Sequence, residues 1–143
     1  MSAATAIGIA VTFIWLGMVL AISFLEAPLK FRAPGVTLPI GLGIGRMVFR
    51  ALNTVEMVFA VALVVTLVVD PPGVGAIVSL AAAIAVLAGQ LLAVRPGLTR
   101  RSDAVLAGRE EVPRSRAHYA YVALEGIKVL ALLGGGILLL AAG

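Results

Sequence analysis

The chain has 143 residues, of which 62% are hydrophobic and 13% charged, and a formal net charge of +4. This is the composition of a polytopic membrane protein, in which surplus basic charge reports topology and not binding to nucleic acid. The absence of cysteine excludes disulfides, thiolate metal sites and thiol nucleophiles.

The first predicted span runs from about residue 6 to 25, with Thr12 and Ser23 as its polar interruptions and both able to bond back to their own helix. Twenty mostly apolar residues rise ~30 Å, which matches a bilayer core. No positive n-region precedes it, so it reads as a retained span and not a cleaved signal peptide. Glu26 marks the interface. Residues 26–45 follow as a loop containing Pro28, Pro34 and Pro39, which argue against one long helix through it. Phe31, Val36, Leu38 and Ile40 suit an ordered interfacial or re-entrant segment. Gly41, Gly43 and Gly45 form a G-x-G-x-G run. With no preceding strand and the wrong spacing for a dinucleotide fingerprint, it reads as a flexible lead-in to the second span.

The second span covers about 47–69 and the third about 74–94, joined by a short turn at Asp70, Pro71, Pro72 and Gly73. The brevity of the turn predicts antiparallel neighbours. A charged loop, Arg95 to Arg116, carries a predicted short surface helix from Ser102 to Arg109, and a fourth span runs from about 117 to 142. The expected fold is all-α, a single membrane domain over 1–143 forming an antiparallel bundle of four transmembrane helices. Its partner is the lipid bilayer, with a homo-oligomer or a larger membrane complex as the expected assembly. Gly17 with Ala21, the line Ala81, Ala85 and Gly89, and the run Gly134 to Gly136 suit close helix contact.

All eleven Lys and Arg residues (Lys30, Arg32, Arg46, Arg50, Arg95, Arg100, Arg101, Arg109, Arg114, Arg116 and Lys128) fall on one side of this layout. Basic residues in short loops stay in the cytoplasm. The expectation is an inner-membrane protein with both termini outside the cytoplasm.

Spans two and four cannot cross a membrane on apolar residues alone. Their charge-free runs, Met57 to Val69 and Val129 to Ala142, hold 13 and 14 residues, which rise only ~20 Å. Glu56 lies 14 residues from Asp70 and Lys128 14 residues from Ala142, so both fall at one depth, ~21 Å from the far boundary. Asn53, Gln90 and Glu125 lie at similar levels. His118, Tyr121, Glu125 and Lys128 keep one face of a helix, and Arg50, Asn53 and Glu56 share about a third of another. A charged group facing lipid costs ~2.5–3.5 kcal/mol, so these faces should meet inside the bundle. A Glu56–Lys128 ion pair is the simplest arrangement, and Glu125–Lys128 at i,i+3 is the alternative. The candidate binding residues are therefore Arg50, Asn53, Glu56, Gln90, His118, Tyr121, Glu125 and Lys128.

A single histidine excludes bis-histidine haem within one chain. A Glu56–Glu125–His118 metal site is a weaker option than an interfacial role for His118 and Tyr121, and Trp15 reads as a packing residue. No Ser or Thr has a recognisable base and orienting partner for a hydrolytic triad, and no cofactor is identified. Three functions fit: a module that binds or transports a small ligand, ion or proton; an accessory subunit whose polar layer fixes packing; or an intramembrane enzyme acting on a lipid or quinone, with Glu56 as base and Lys128 or Arg50 holding an anionic group.

WLGMVLAISFLEAPLKF closing span one, GRMVFRALNTVE opening span two, and RPGLTRR followed by HYAYVALEGIKVLALL together resemble a family of small four-span bacterial membrane proteins of unknown function, distantly similar to transmembrane protein 205. The resemblance implies the same four-span fold and no mechanism. Some members of that group are associated with resistance to metal compounds, whereas a chain with no cysteine and one histidine is poorly suited to handling soft metals directly.

Overall fold

A computed structural model describes residues 1–94, 100, 103, 104, 107 and 116–142. Four helices are long and apolar enough to cross a membrane, and they pack as an all-α bundle. Helix α1 (Ala3–Val19) starts at Ser2, whose side chain caps Thr5, and continues as a π-helical segment (Leu20–Glu26), a helical turn (Ala27–Leu29) and a 3-10 turn (Lys30–Arg32). Helix α2 spans Leu38–Val69. Helix α3 spans Val74–Gly89 and passes into a second π segment (Gln90–Val94). Helix α4 spans Arg116–Ala142.

The segment read from sequence as a loop over 26–45 is mostly helical, and only residues 33–37 lie outside helices. Its prolines sit where a missing N–H costs little. Pro28 opens a helical turn just after the π segment, whose widened backbone bonds Ala27 N–H to the Ile22 carbonyl. Pro39 is in the first turn of α2, behind the Thr37 cap, a position proline favours. Gly35, at φ +82°, turns the chain between the two helices, a conformation glycine adopts without strain. The glycine run is likewise helical and not a flexible lead-in. The Phe31 ring lies over Gly41, and the Lys30 ammonium reaches Gly45. The ring leaves no room for a side chain at Gly41, whereas the flexible end of Lys30 would have to shift for one at Gly45.

Cross-helix contacts run in opposite chain directions throughout: Gly8 meets Thr66 and Leu139, Phe13 meets Gly136, and Leu80 meets Gly135. The bundle is therefore up-down-up-down. Helix α1 packs on α2 and α4, and α3 packs mainly on α4. The short 70–73 turn joins α2 to α3 without making them principal packing neighbours, because α1 and α4 take the central contact. At that end Asp70 accepts hydrogen bonds from the hydroxyls of Ser2 and Thr5. These donors hold its carboxyl below the ordinary value and tie the start of α1 to the turn. The short helix expected over 102–109 lies mostly outside the described residues. Asp103, which is described, pairs with Arg46.

The core is a sleeve of Leu16, Val19, Leu63, Leu80, Ala83, Leu87, Leu132 and Leu139 around Trp15. Of the small-residue lines, only the α4 run turns inward. Gly135 and Gly136 are buried, whereas Gly17, Ala21, Ala81 and Ala85 are exposed on the outside of the chain. This contrast makes a prediction. A Cβ on Gly135 would lie 2.5 Å from Leu80 Cδ2, whereas one on Gly17 would meet nothing within 4 Å. Gly135→Ala should destabilise the bundle by ~1–3 kcal/mol through overpacking and Gly17→Ala should be near neutral, as measured by unfolding in detergent. Equal effects would show that α3 and α4 do not pack in this register.

Candidate functional site

Lys128 is the centre of the site and is fully buried. Its ammonium lies 2.5 Å from Glu56 Oε2, 2.5 Å from Glu125 Oε1 and 2.9 Å from Gln90 Oε1. The three donor positions of a lysine are thus matched by acceptors from α2, from α4 itself and from the π segment after α3. The two ion pairs weighed from sequence as alternatives form together.

The carboxylates are held in turn. Glu56 Oε2 also accepts from the Trp15 indole N–H at 2.8 Å. Glu125 Oε1 accepts from Gln90 Nε2 at 2.8 Å, and its Oε2 accepts from the Ser23 hydroxyl in the π segment after α1. Every helix therefore delivers a polar group to one level. Glu56, Gln90, Glu125 and Lys128 are all essentially inaccessible.

Two further candidates form a neighbouring layer. The Tyr121 hydroxyl donates to Asn53 Oδ1 at 3.4 Å, and the Tyr121 ring meets Phe49 edge-on at 5.8 Å. Tyr121 is buried in the bundle and not at the interface as expected, because its position on the inward stripe of α4 decides its environment. The Gln90 amide also reaches the Tyr121 carbonyl at 3.4 Å. Arg50 stands apart, with its residue exposed on α2. It lies six residues before Glu56, which turns it well off the inward line at 3.6 residues per turn. His118 lies on α4, but its side chain is outside the described residues. Among the described residues no group of three or more His, Asp or Glu side chains could hold a metal ion.

Sequence reasoning missed two participants. Trp15 is a packing residue as expected, yet it also donates to Glu56. An indole N–H in the middle of a span, which needs a buried acceptor, was the available signal. Ser23 was expected to bond within its own helix, as Thr12 does to Gly8. It bonds Glu125 instead because the π segment turns it toward α4, and no feature of the sequence around it announces that turn.

The polar column does not end at Glu125. Beyond Ser23, the same stretch carries Glu26, whose Oε2 is buried without a hydrogen bond among the described residues and lies 3.9 Å from Lys30 Nζ. Lys30 in turn covers the rings of Phe31 and Phe49 at 5.5 and 5.7 Å. Toward the Asp70 end the column stops. Thr12 and Thr66 bond their own helix carbonyls, and Leu63, Leu80 and Leu132 fill the interior.

Comparison with family models, curated proteins and solved structures finds no match, so the site is read from its own chemistry. Removing one member of a buried charge network leaves its partners uncompensated. Lys128→Met strands two carboxylates, whereas Glu56→Gln leaves the Glu125–Lys128 pair in place. Lys128→Met should therefore lower unfolding stability by on the order of 3 kcal/mol and Glu56→Gln by less, with the double variant recovering part of the Lys128→Met loss. Strictly additive losses in detergent unfolding would mean that the two side chains do not meet.

Proposed function

We propose that this protein is a small membrane module that binds, and passes between compartments, one unit of positive charge as a proton or small cation at the Glu56–Glu125–Lys128 cluster. The observation that carries this reading is the charge count. Two carboxylates face one ammonium, and Glu56 Oε1 is buried with no hydrogen-bond partner among the described residues. An uncompensated carboxylate in a membrane interior is costly unless it is used or neutralised, and one added positive charge balances the cluster.

The polar column of Ser23, Glu26 and Lys30 supports an entrance from the end that carries the basic residues, against the leucine-filled end at Asp70. By the positive-inside rule that entrance faces the cytoplasm of an inner-membrane protein, with the Asp70 turn and both termini on the opposite side. The kinship with the four-span family proposed from the sequence segments fits this topology and adds no substrate.

A second reading is favoured by a specific observation. The network joins all four helices at one depth, which is also what a purely structural clamp in an accessory subunit requires. Flux separates the two. Protein reconstituted in liposomes with an internal pH-sensitive dye and defined alkali salts should carry charge under an imposed gradient. Glu56→Gln should reduce the flux to that of protein-free liposomes while retaining the helical content of the wild type. Flux absent from the wild type, together with co-purification of a larger complex from native membrane, would replace the module reading with the accessory one.

A further inference from the structure

The two carboxylates of the cluster are not equivalent, because their oxygens receive different donors. Glu125 receives donors on both of its oxygens. Its Oε1 receives the Lys128 ammonium and the Gln90 amide, and its Oε2 receives the Ser23 hydroxyl. Glu56 takes both of its donors, Trp15 Nε1–H and Lys128 Nζ, on Oε2, while Oε1 lies buried without a hydrogen-bond partner among the described residues. Among the described residues, Oε1 of Glu56 is therefore the one oxygen of the two carboxylates that receives no donor, and it is open to an added positive charge.

The chemistry around Glu56 selects what fills it. An alkali or divalent cation replaces its hydration shell with several oxygen ligands. Beside Glu56 the neighbouring polar groups include an indole N–H and a primary ammonium, which offer hydrogens and not lone pairs. No metal-holding cluster of His, Asp or Glu exists among the described residues. A proton needs a single lone pair and no coordination shell. The protonated group keeps Oε2 as a carbonyl oxygen that still accepts from Trp15 and Lys128, so no existing hydrogen bond has to break.

We propose, resting on the module reading above, that the charge taken up is one proton, bound on Oε1 of Glu56 at neutral pH, with Glu125 remaining the ionised partner of Lys128. Among the described residues, the ionisable groups that face Glu56 are Lys128 and, behind it, Glu125, both on α4; α1 presents Trp15 and the α3 extension presents Gln90, neither of which titrates in this range. The proton count is then fixed by charge balance. Replacing either glutamate by glutamine removes the need for the proton, and replacing Lys128 by methionine leaves two carboxyls that both require one.

Infrared spectroscopy of the full chain in lipid nanodiscs at neutral pH, with and without 13C-labelled glutamate, tests this directly. The wild type should show the carbonyl band of one un-ionised carboxylic acid per chain, shifted by the label. Trp15→Phe should move that band to higher frequency by removing a hydrogen bond to its carbonyl oxygen, while Ser23→Ala leaves it in place. Lys128→Met should double its intensity. Glu56→Gln, which keeps the size of the side chain, should abolish the band, and this assigns the proton to Glu56 even if Trp15→Phe or Lys128→Met fails to fold. Absence of a label-sensitive acid band overturns the proposal, as does a band that follows Ser23→Ala and so belongs to Glu125. Gradient-driven flux without the band would leave the module standing with another ligand. The band without flux would make the proton a fixed part of the fold and overturn the module alone.

Discussion

A fully buried lysine ammonium is the constraint around which this bundle is arranged. Lys128 sits in the fourth helix with no access to water, and an isolated charge there would cost several kcal/mol. The rest of the polar chemistry follows from that need. Glu56, Glu125 and Gln90 supply the three acceptors, and Trp15 and Ser23 supply donors that hold the two carboxyl groups in place. Since these groups come from four different helices, satisfying one ammonium fixes the rotation and depth of all of them. The leucine sleeve then fills the space between this level and the Asp70 end.

The two π segments are how α1 and α3 take part. Each begins where a regular helix has delivered its apolar face to the core, and each places a polar side chain, Ser23 or Gln90, on Glu125. Widened turns of this kind recur at functional sites because they re-aim side chains without ending the helix. Here they do so on either side of the same carboxylate. The segment after α1 also precedes Pro28, and the wider turn relieves the contact between a proline ring and the carbonyl of the turn before it.

Much of this was legible in the sequence, for identifiable reasons. Apolar runs gave the spans, and the shortness of the runs after Glu56 and Lys128 required those charges to lie at one depth. Inward faces followed from helical spacing, which brought Asn53, Gln90 and Glu125 to the right level, whereas the inward stripe of α4 also carries Tyr121 inside the bundle. Arg50 was carried along by proximity in sequence although its angle on α2 turns it outward. The helical course of 26–45 was hidden by three prolines, of which Pro28 and Pro39 sit in first turns that tolerate them and Pro34 lies in the short break at 33–37. Ser23 could not be placed because a π turn resets the helical phase, and such turns leave no clear mark in composition.

The central claim, that Glu56 and Lys128 meet in the membrane interior, is open to one direct measurement. Solid-state nuclear magnetic resonance of the protein in lipid bilayers, with 13C in the glutamate carboxyl groups and 15N in the lysine side chains, reports their separation through dipolar coupling. The account predicts strong coupling between the Lys128 ammonium nitrogen and two carboxyl carbons, one lost in Glu56→Gln and the other in Glu125→Gln, with no exchange broadening from water. A Lys128 nitrogen that exchanges freely with water and shows no coupling to Glu56 would mean that the side chain extends to the membrane surface, and the arrangement described here would be wrong.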